Sequence, residues 1–299
     1  MAEIIQRDGT WAFDGSTIRI TPGLHRTVPL FRQTYGEIAV PLEAVSGVVH
    51  EPERKRGRLR LRLRLRLREG ADPLLQATGG RLPEAADPYS LSVGTDRSGV
   101  AAYVAEEIRR ALLLDQVPTE PATAYLLTGP PVPVSVRSSD GTVSFDGKRV
   151  RVDWADTSDR VKRATGPRII DLGDLVQVEW LPNSGYGDGF LRFVTSEAGS
   201  CELPPEKDPY TLDLWGSVRR DLLTALVATA VTARLPHPST RTGAHAERPR
   251  PTPVVPAQSD HHDVLLRRLR ELGELHRDGV LTDAEFALTK TAVLRGFQP

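Results

Sequence analysis

Two periods organise the hydrophobic positions of this 299-residue chain. The period of two is sharpest over residues 58–68, where arginine and leucine alternate without interruption, so that a strand carries five leucines on one face and six arginines on the other. Wound as a helix, the same segment has no apolar face. Shorter apolar runs flank Asp14-Gly15 and Asp146-Gly147, pairs suited to a two-residue type I′ turn, and each predicts a hairpin. Pairing Phe13 with Ser16 sets Trp11 opposite Ile18, and pairing Phe145 with Lys148 sets Val143 opposite Val150. Residues 38–49 and 169–180 mix β-branched and apolar residues around a short polar break, as two strands or one bent strand would. Residues 189–194 and the segments opening at Asp87-Pro88-Tyr89 and Asp208-Pro209-Tyr210 add further strands.

The helical period then takes over. Val100, Tyr103, Val104, Ile108, Ala111 and Leu112 predict one helix, and Val218, Leu222, Leu223, Leu226, Val227 and Ala230 predict another. Near the C-terminus Leu265, Leu269, Leu272 and Leu275 mark a helix that stops at Gly279. A last helix starts at once, with Thr282 as cap, Glu285 completing a capping box, and Leu281 and Phe286 in the staple positions. A helical hairpin of this size buries too little apolar surface to stand alone. Its stripe of Leu265, Leu269, Leu272, Leu275, Phe286 and Val293 therefore expects a partner, most simply a second copy of itself.

The strands and the first two helices are one pattern stated twice. Asp8-Gly9-Thr10 and Phe13-Asp14-Gly15 return as Asp140-Gly141-Thr142 and Phe145-Asp146-Gly147, and Asp87-Pro88-Tyr89 returns as Asp208-Pro209-Tyr210. Strands followed by one helix in each copy give an α+β class: two tandem bent-sheet domains, each closed by a C-terminal helix, plus a C-terminal α-helical hairpin. The expected divisions are residues 1–117 and 135–235 for the copies and 260–299 for the hairpin. Proline-rich linkers over 118–134 and 236–259 should be extended and largely unfolded.

Composition narrows the function classes. With 39 basic and 39 acidic residues the chain has no global field for nucleic acid or membrane, so any such attraction is local. The single Cys201 supports neither an intramolecular disulfide nor a cysteine zinc site. The longest apolar run, residues 222–233, is about two-thirds of a spanning helix and reads as a packed one. Residues 1–9 lack the apolar core of a signal peptide, and a cytoplasmic setting is expected.

The candidate chemistry is sparse. Neighbouring arginines among Arg58, Arg60, Arg62, Arg64, Arg66 and Arg68 lie roughly 6.7 Å apart on one face and repel by about 0.6 kcal/mol in water, so something nearby should offset them. Fully ordered, the strand reaches roughly 33 Å and should overshoot its neighbours. The strip reads as a solvated or internally paired face that also protects a sheet edge. Alternatively it meets an anionic partner, with lipid headgroups ahead of nucleic acid because no aromatics interleave with the arginines. Gly185-Tyr186-Gly187-Asp188-Gly189 reads as a hairpin loop, since it lacks the Lys-Ser/Thr of a phosphate loop. Asp260-His261-His262-Asp263 reads as a helix cap ahead of a metal site. Asp14 and Asp146 are the only carboxylates repeated inside a sharp motif, and turn chemistry accounts for them. No catalytic residue, metal or cofactor is expected.

Through Phe13-Asp14-Gly15, Val40-Pro41-Leu42, Gly57-Arg58-Leu59-Arg60 and Asp87-Pro88-Tyr89, repeated at Phe145, Ile170, Gly189 and Asp208, residues 1 to 235 resemble the bacterial domain-of-unknown-function 4429 family. The order of elements also resembles bacterial pleckstrin-homology-type domains, which implies a strongly bent sheet capped by the helix. Residues 265–294, centred on Gly279-Val280-Leu281-Thr282-Asp283-Ala284-Glu285-Phe286, resemble the short C-terminal domain known as SHOCT, which implies oligomerisation or docking. The expectation is a non-catalytic binding or scaffolding protein that self-associates, or meets an unidentified protein partner, through its C-terminal hairpin. The alternative is a peripheral membrane adaptor whose basic strand holds anionic lipid at the inner membrane face. A third class is an enzyme with a composite site between the copies.

Overall fold

The computed structural model describes residues 1–55, 58–185, 189–196 and 203–240. The expected C-terminal hairpin, with Leu265, Leu269, Leu272, Leu275, Phe286 and Val293, lies outside the described residues.

In the first copy β1 (Ala2–Gln6), β2 (Gly9–Phe13), β3 (Thr17–Pro22) and β4 (Ile38–Pro41) form an antiparallel sheet in that order, with α1 (Leu30–Tyr35) in the last connection. Alternation buries Ile4, Trp11, Phe13, Ile18, Ile20 and Val40 on one face. The polar break expected after β4 is a 3₁₀ turn at Leu42–Ala44, which carries the chain into a second sheet. There β5 (Val45–Lys55), β6 (Arg58–Leu67) and β7 (Ser90–Val93) pair antiparallel in that order, and α2 (Pro73–Thr78) lies between the last two. The helix α3 (Ser98–Leu114) closes the unit through Ala101, Val104, Ala105 and Ile108. Tyr103, expected on that face, is 55% exposed because the buried positions 101, 104, 105 and 108 set the inward direction, and 103 lies off it.

The second copy repeats this plan. Its sheets are β8 (Val134–Arg137), β9 (Gly141–Phe145), β10 (Arg149–Trp154) and β11 (Arg168–Asp171), then β12 (Leu175–Leu181), β13 (Gly189–Thr195) and β14 (Thr211–Leu214); α4 (Arg160–Ala164) matches α1. The expected single closing helix is two, α5 (Val218–Asp221) and α6 (Thr224–Thr232). Between them the backbone bonds tighten to the i+3 pattern, as in Leu223 N–H to Arg220 O and Ala225 N–H to Leu222 O. All nine residues of α6 are buried, and Thr229 satisfies its hydroxyl on Ala225 O at 2.7 Å. No described helix is long and apolar enough to cross a membrane.

Both hairpins differ from the expected register by two residues. Phe13 pairs with Ile18 and Trp11 with Ile20, and Phe145 pairs with Val150 and Val143 with Val152. The cause is the aspartate side chain. Asp14 Oδ1 accepts from Ser16 and Thr17 N–H at 2.9 and 2.8 Å, and Asp146 Oδ1 from Lys148 and Arg149 N–H at 2.7 Å each. Each aspartate thus closes the turn from its first position, and the central pair becomes Gly15-Ser16 or Gly147-Lys148 with glycine at positive φ. Those hydrogen bonds hold both carboxyls below the ordinary aspartate range. A shift of two preserves side-chain alternation, so the core faces are unaffected.

The copies share one continuous apolar core, joined where α2 packs on α6 and β12. The segment between them has no helix or strand until β8, yet it is not unfolded. Ala122 N–H bonds Glu69 O, Leu126 and Leu127 N–H bond Ala71 O, and the Ala122 and Leu127 side chains are buried. Its prolines supply no donors, and these three of the remaining donors are tied to residues just past β6. After α6, His237 anchors the chain through Nε2 to Gly70 O at 3.0 Å, and Ser239 Oγ donates to Thr123 O at 2.8 Å.

Candidate functional site

β6 lies between β5 and β7 over Leu61–Arg64, so there the arginine strip does not guard a sheet edge. Leu63 and Leu65 are buried as alternation requires, with Leu61 and Leu67 half-buried. The arginines part ways. Arg62 forms an ion pair with Glu84, and Arg64 Nε lies 3.4 Å from Asp87 Oδ2. Arg68, one residue past the strand, donates from Nη1 to Glu43 O at 2.9 Å and from Nε and Nη2 to Glu120 O at 2.9 and 2.8 Å. Arg66 is exposed and sits opposite Gly47. Arg60 and Arg58 occupy register positions opposite Glu53 and Lys55. β7 pairs with β6 only from Leu61 to Arg64, so the pairs Glu53–Arg60, Arg54–Leu59 and Lys55–Arg58 extend beyond it as a two-stranded arm, the overshoot its length requires. The six arginines therefore do not form one site.

The second copy explains the split. Its one retained arginine, Arg192, occupies the position of Arg64 and donates from Nε to Asp208 Oδ2 at 3.0 Å. Asp87 and Asp208 each also accept from the backbone N–H two residues on, Tyr89 at 3.0 Å and Tyr210 at 2.9 Å. The doubled Asp-Pro-Tyr thus shapes a turn and neutralises an arginine of the central strand. Arg64 is held for the same structural reason as Arg192.

Beside Arg64 a cavity of ≈ 250 Å³ is lined by Leu74, Leu82, Glu84, Asp87 and Tyr89. Charge at its rim is balanced, Arg62 and Arg64 against Glu84 and Asp87, so it lacks the uncompensated cation that holds a free phosphate. The most perturbed group nearby is Asp72, the N-cap of α2, 2% exposed and accepting from Leu74 and Leu75 N–H at 2.9 and 3.3 Å. Burial pushes its carboxyl up to about 6 against those bonds. The Tyr35 and Tyr89 hydroxyls are buried, and that of Tyr89 lies against the Asp72 carboxyl. Burial, reinforced by the Asp72 charge, holds both phenols protonated far above their ordinary range. Burial also raises Asp87, opposed by the Tyr89 N–H and by Arg64, Arg32 and Arg62.

The doubled carboxylates are not confined to Asp14 and Asp146. Asp140 Oδ2 binds Lys162 Nζ at 2.5 Å and accepts from Asp213 N–H at 2.9 Å, and both side chains of the ion pair are buried. Asp8 Oδ2 does the same in the first copy, with Arg32 Nη1 at 3.8 Å and Ser92 N–H at 3.1 Å. Each aspartate ties the first hairpin of one sheet to the last strand of the other and to the short helix between. The available signal was the recurrence of Asp-Gly-Thr with a cation 24 or 22 residues on.

The segment after Leu181 connects the paired strands β12 and β13, with Asn183 Oδ1 accepting from Gly185 N–H at 2.8 Å; residues 186–188 lie outside the described residues. Residues 260–263 also lie outside them. Among the described residues no cluster of His, Cys, Asp and Glu has the makings of a metal site.

A comparison with curated proteins finds no match. Comparison with protein families matches residues 11–109 and 143–232, one segment per copy and the greater part of the chain, to the Domain of unknown function (DUF4429). With the Asp-Pro-Tyr turn and its central-strand arginine in each matched segment, the chain belongs to the DUF4429 family and carries its domain twice.

Proposed function

We propose that this chain is a non-catalytic binding protein in which two pleckstrin-homology-like repeats form one platform, and the SHOCT-like segment at residues 260–299 drives self-association or partner docking. The observation that carries this reading is the employment of the doubled charged residues. Asp8 and Asp140 bridge sheets, Asp87 and Asp208 neutralise central-strand arginines, and Asp14 and Asp146 hold turns. Polar groups kept in both copies serve the fold, which leaves binding to the surface. In each repeat a four-stranded and a three-stranded antiparallel sheet precede the closing helix, an order that supports the pleckstrin-homology-like analogy.

Light scattering on the full chain and on a chain ending before residue 260 tests the C-terminal role. A lower oligomeric state for the shorter chain is expected, and equal protomer numbers reject self-association through that segment. A second reading, favoured by the presence of the basic strand in one copy only, is contact with an anionic membrane surface.

A further inference from the structure

We infer that the free edge of β11 pairs with the same edge of a second copy of this chain, antiparallel about a two-fold axis at Ile169. This contact is separate from the association assigned above to residues 260–299.

One bond fixes the direction of the backbone groups. Leu172 N–H donates to Lys148 O at 2.8 Å, so alternation turns the N–H and C=O of Arg168 and Ile170 toward β10 and those of Ile169 and Asp171 away from it. On that outward side neither residue makes a backbone hydrogen bond among the described residues. The first copy has the same geometry at β4, where Leu42 N–H donates to Ser16 O at 2.7 Å and Ala39 and Pro41 face outward. There Pro41 withholds its donor, and the exposed side chain is only the methyl of Ala39. The second copy has Asp171 in place of that proline and Ile169, 56% exposed, in place of that alanine.

The remaining edge strands are engaged. β1 and β5 pack against α3, whose Arg109 donates from Nη2 to Val48 O at 3.2 Å, and β8 and β12 pack against α6. β7 and β14 give the Ser92 and Asp213 N–H groups to Asp8 and Asp140. Among the described edge strands, β11 is the one that joins outward donors and acceptors to a large exposed aliphatic side chain, a combination that monomeric proteins avoid.

A second copy is the occupant that matches. Residues opposite each other in an antiparallel pair point to the same face, so the axis passes at Ile169 or at Ile170. An axis at Ile170 sets Ile169 opposite the partner's Asp171 and leaves the two Asp171 carboxylates roughly 7 Å apart along the strand. An axis at Ile169 packs that side chain on the partner's Ile169 and parts the carboxylates by roughly 13 Å. In this register the two isoleucines exchange backbone bonds, and each Asp171 N–H reaches the carbonyl of the partner's Pro167. Symmetry makes the surface its own complement. A strand of four residues buries far less than the roughly 1,200 Å² of a stable complex, so the dimer is weak and reversible.

The test is cross-linking of the full chain by a short bis-maleimide, with the single native Cys201 replaced by serine. Ile169→Cys is compared with Ser144→Cys, which shares its face but lies two strands in from the edge, so that the two copies of position 144 stand roughly 24 Å apart. Asp171→Pro is then added to Ile169→Cys. The φ of −72° at Asp171, against −66° at Pro41, admits the ring, and thermal melting checks folding. Expected are dimers from Ile169→Cys, none from Ser144→Cys, and association weakened roughly 30-fold by Asp171→Pro, for two hydrogen bonds at about fivefold each. An Ile169→Cys chain that does not cross-link overturns the pairing. Equal yields at the two cysteines, or a yield that Asp171→Pro leaves unchanged in a folded chain, overturn the edge as the contact. Slow hydrogen exchange at the Ile169 and Asp171 N–H in a chain that does not cross-link places another segment of the same chain there instead. Because the cysteine reads this contact alone, its outcome stands apart from the light-scattering result on residues 260–299.

Discussion

Replacing Asp140 by alanine probes the bridge between the two sheets of the second repeat. Lys162 Nζ is buried, and Asp140 Oδ2 at 2.5 Å is its ion-pair partner. Removing one member of such a pair strands a buried charge and typically costs about 3–5 kcal/mol. The Asp213 N–H also loses its acceptor, a further penalty of about 1–3 kcal/mol when such a group stays dry. Two features pull the total to the low end. The Lys162 charge already acts on the Asp213 carboxyl, and Nζ stands 5.0 Å from the Trp154 ring centroid. The expected loss is about 3 kcal/mol, a drop in melting temperature of roughly 6–12 °C for a unit of this size. Asp8→Ala should cost about half as much, since its pair with Arg32 is 3.8 Å long and Asp8 is a quarter exposed. Urea and thermal melts followed by circular dichroism measure both. The double substitution Asp140→Leu/Lys162→Met, which removes both charges, should cost less than Asp140→Ala. A single-variant loss below about 1 kcal/mol, or a double variant as costly as the summed singles, refutes the bridge as a buried ion pair.

Asp72 makes stability depend on pH in the direction opposite to most carboxylates. Its folded-state pKa of about 6 lies above the unfolded value, so the folded chain binds the proton more tightly, and stability should rise as pH falls from about 6 to about 4. Asp72→Asn, which can still cap α2, should flatten the Asp72 share of that slope in melts across the range; an unchanged slope removes Asp72 as its source. Gly141→Ala should destabilise by about 1–3 kcal/mol, because the added carbon would lie 2.4 Å from Asp153 O across the hairpin, and denaturant melts should show it.

Alternation made the strands and their inward faces legible, because period two decides which side of a sheet a residue occupies whatever its neighbours are. It did not decide which strand lies alongside. The arginine strip therefore read as one surface, although Glu84, Asp87 and the Glu120 carbonyl claim different members of it. Hairpin register slipped by two for a similar reason: Asp14-Gly15 matches a turn signature, and only the carboxylate's reach to Ser16 and Thr17 N–H moves the turn along the chain. The short helices α1 and α4 left no period to read in six and five residues. The union of the copies was hidden because an apolar helix announces burial without naming its cover. Residues 222–233 signalled a packed helix, but nothing in them pointed to α2 of the other copy.

Comparing the copies separates what the fold needs from what was added to it. The sheet-bridging aspartates, the Asp-Pro-Tyr turn with its arginine and the aspartate-closed hairpins occur twice, and each has a structural partner in both places. Among the described residues, one helix belongs to the first copy alone, α2. Its contact with α6 accounts for it, since that contact joins the repeats into one core.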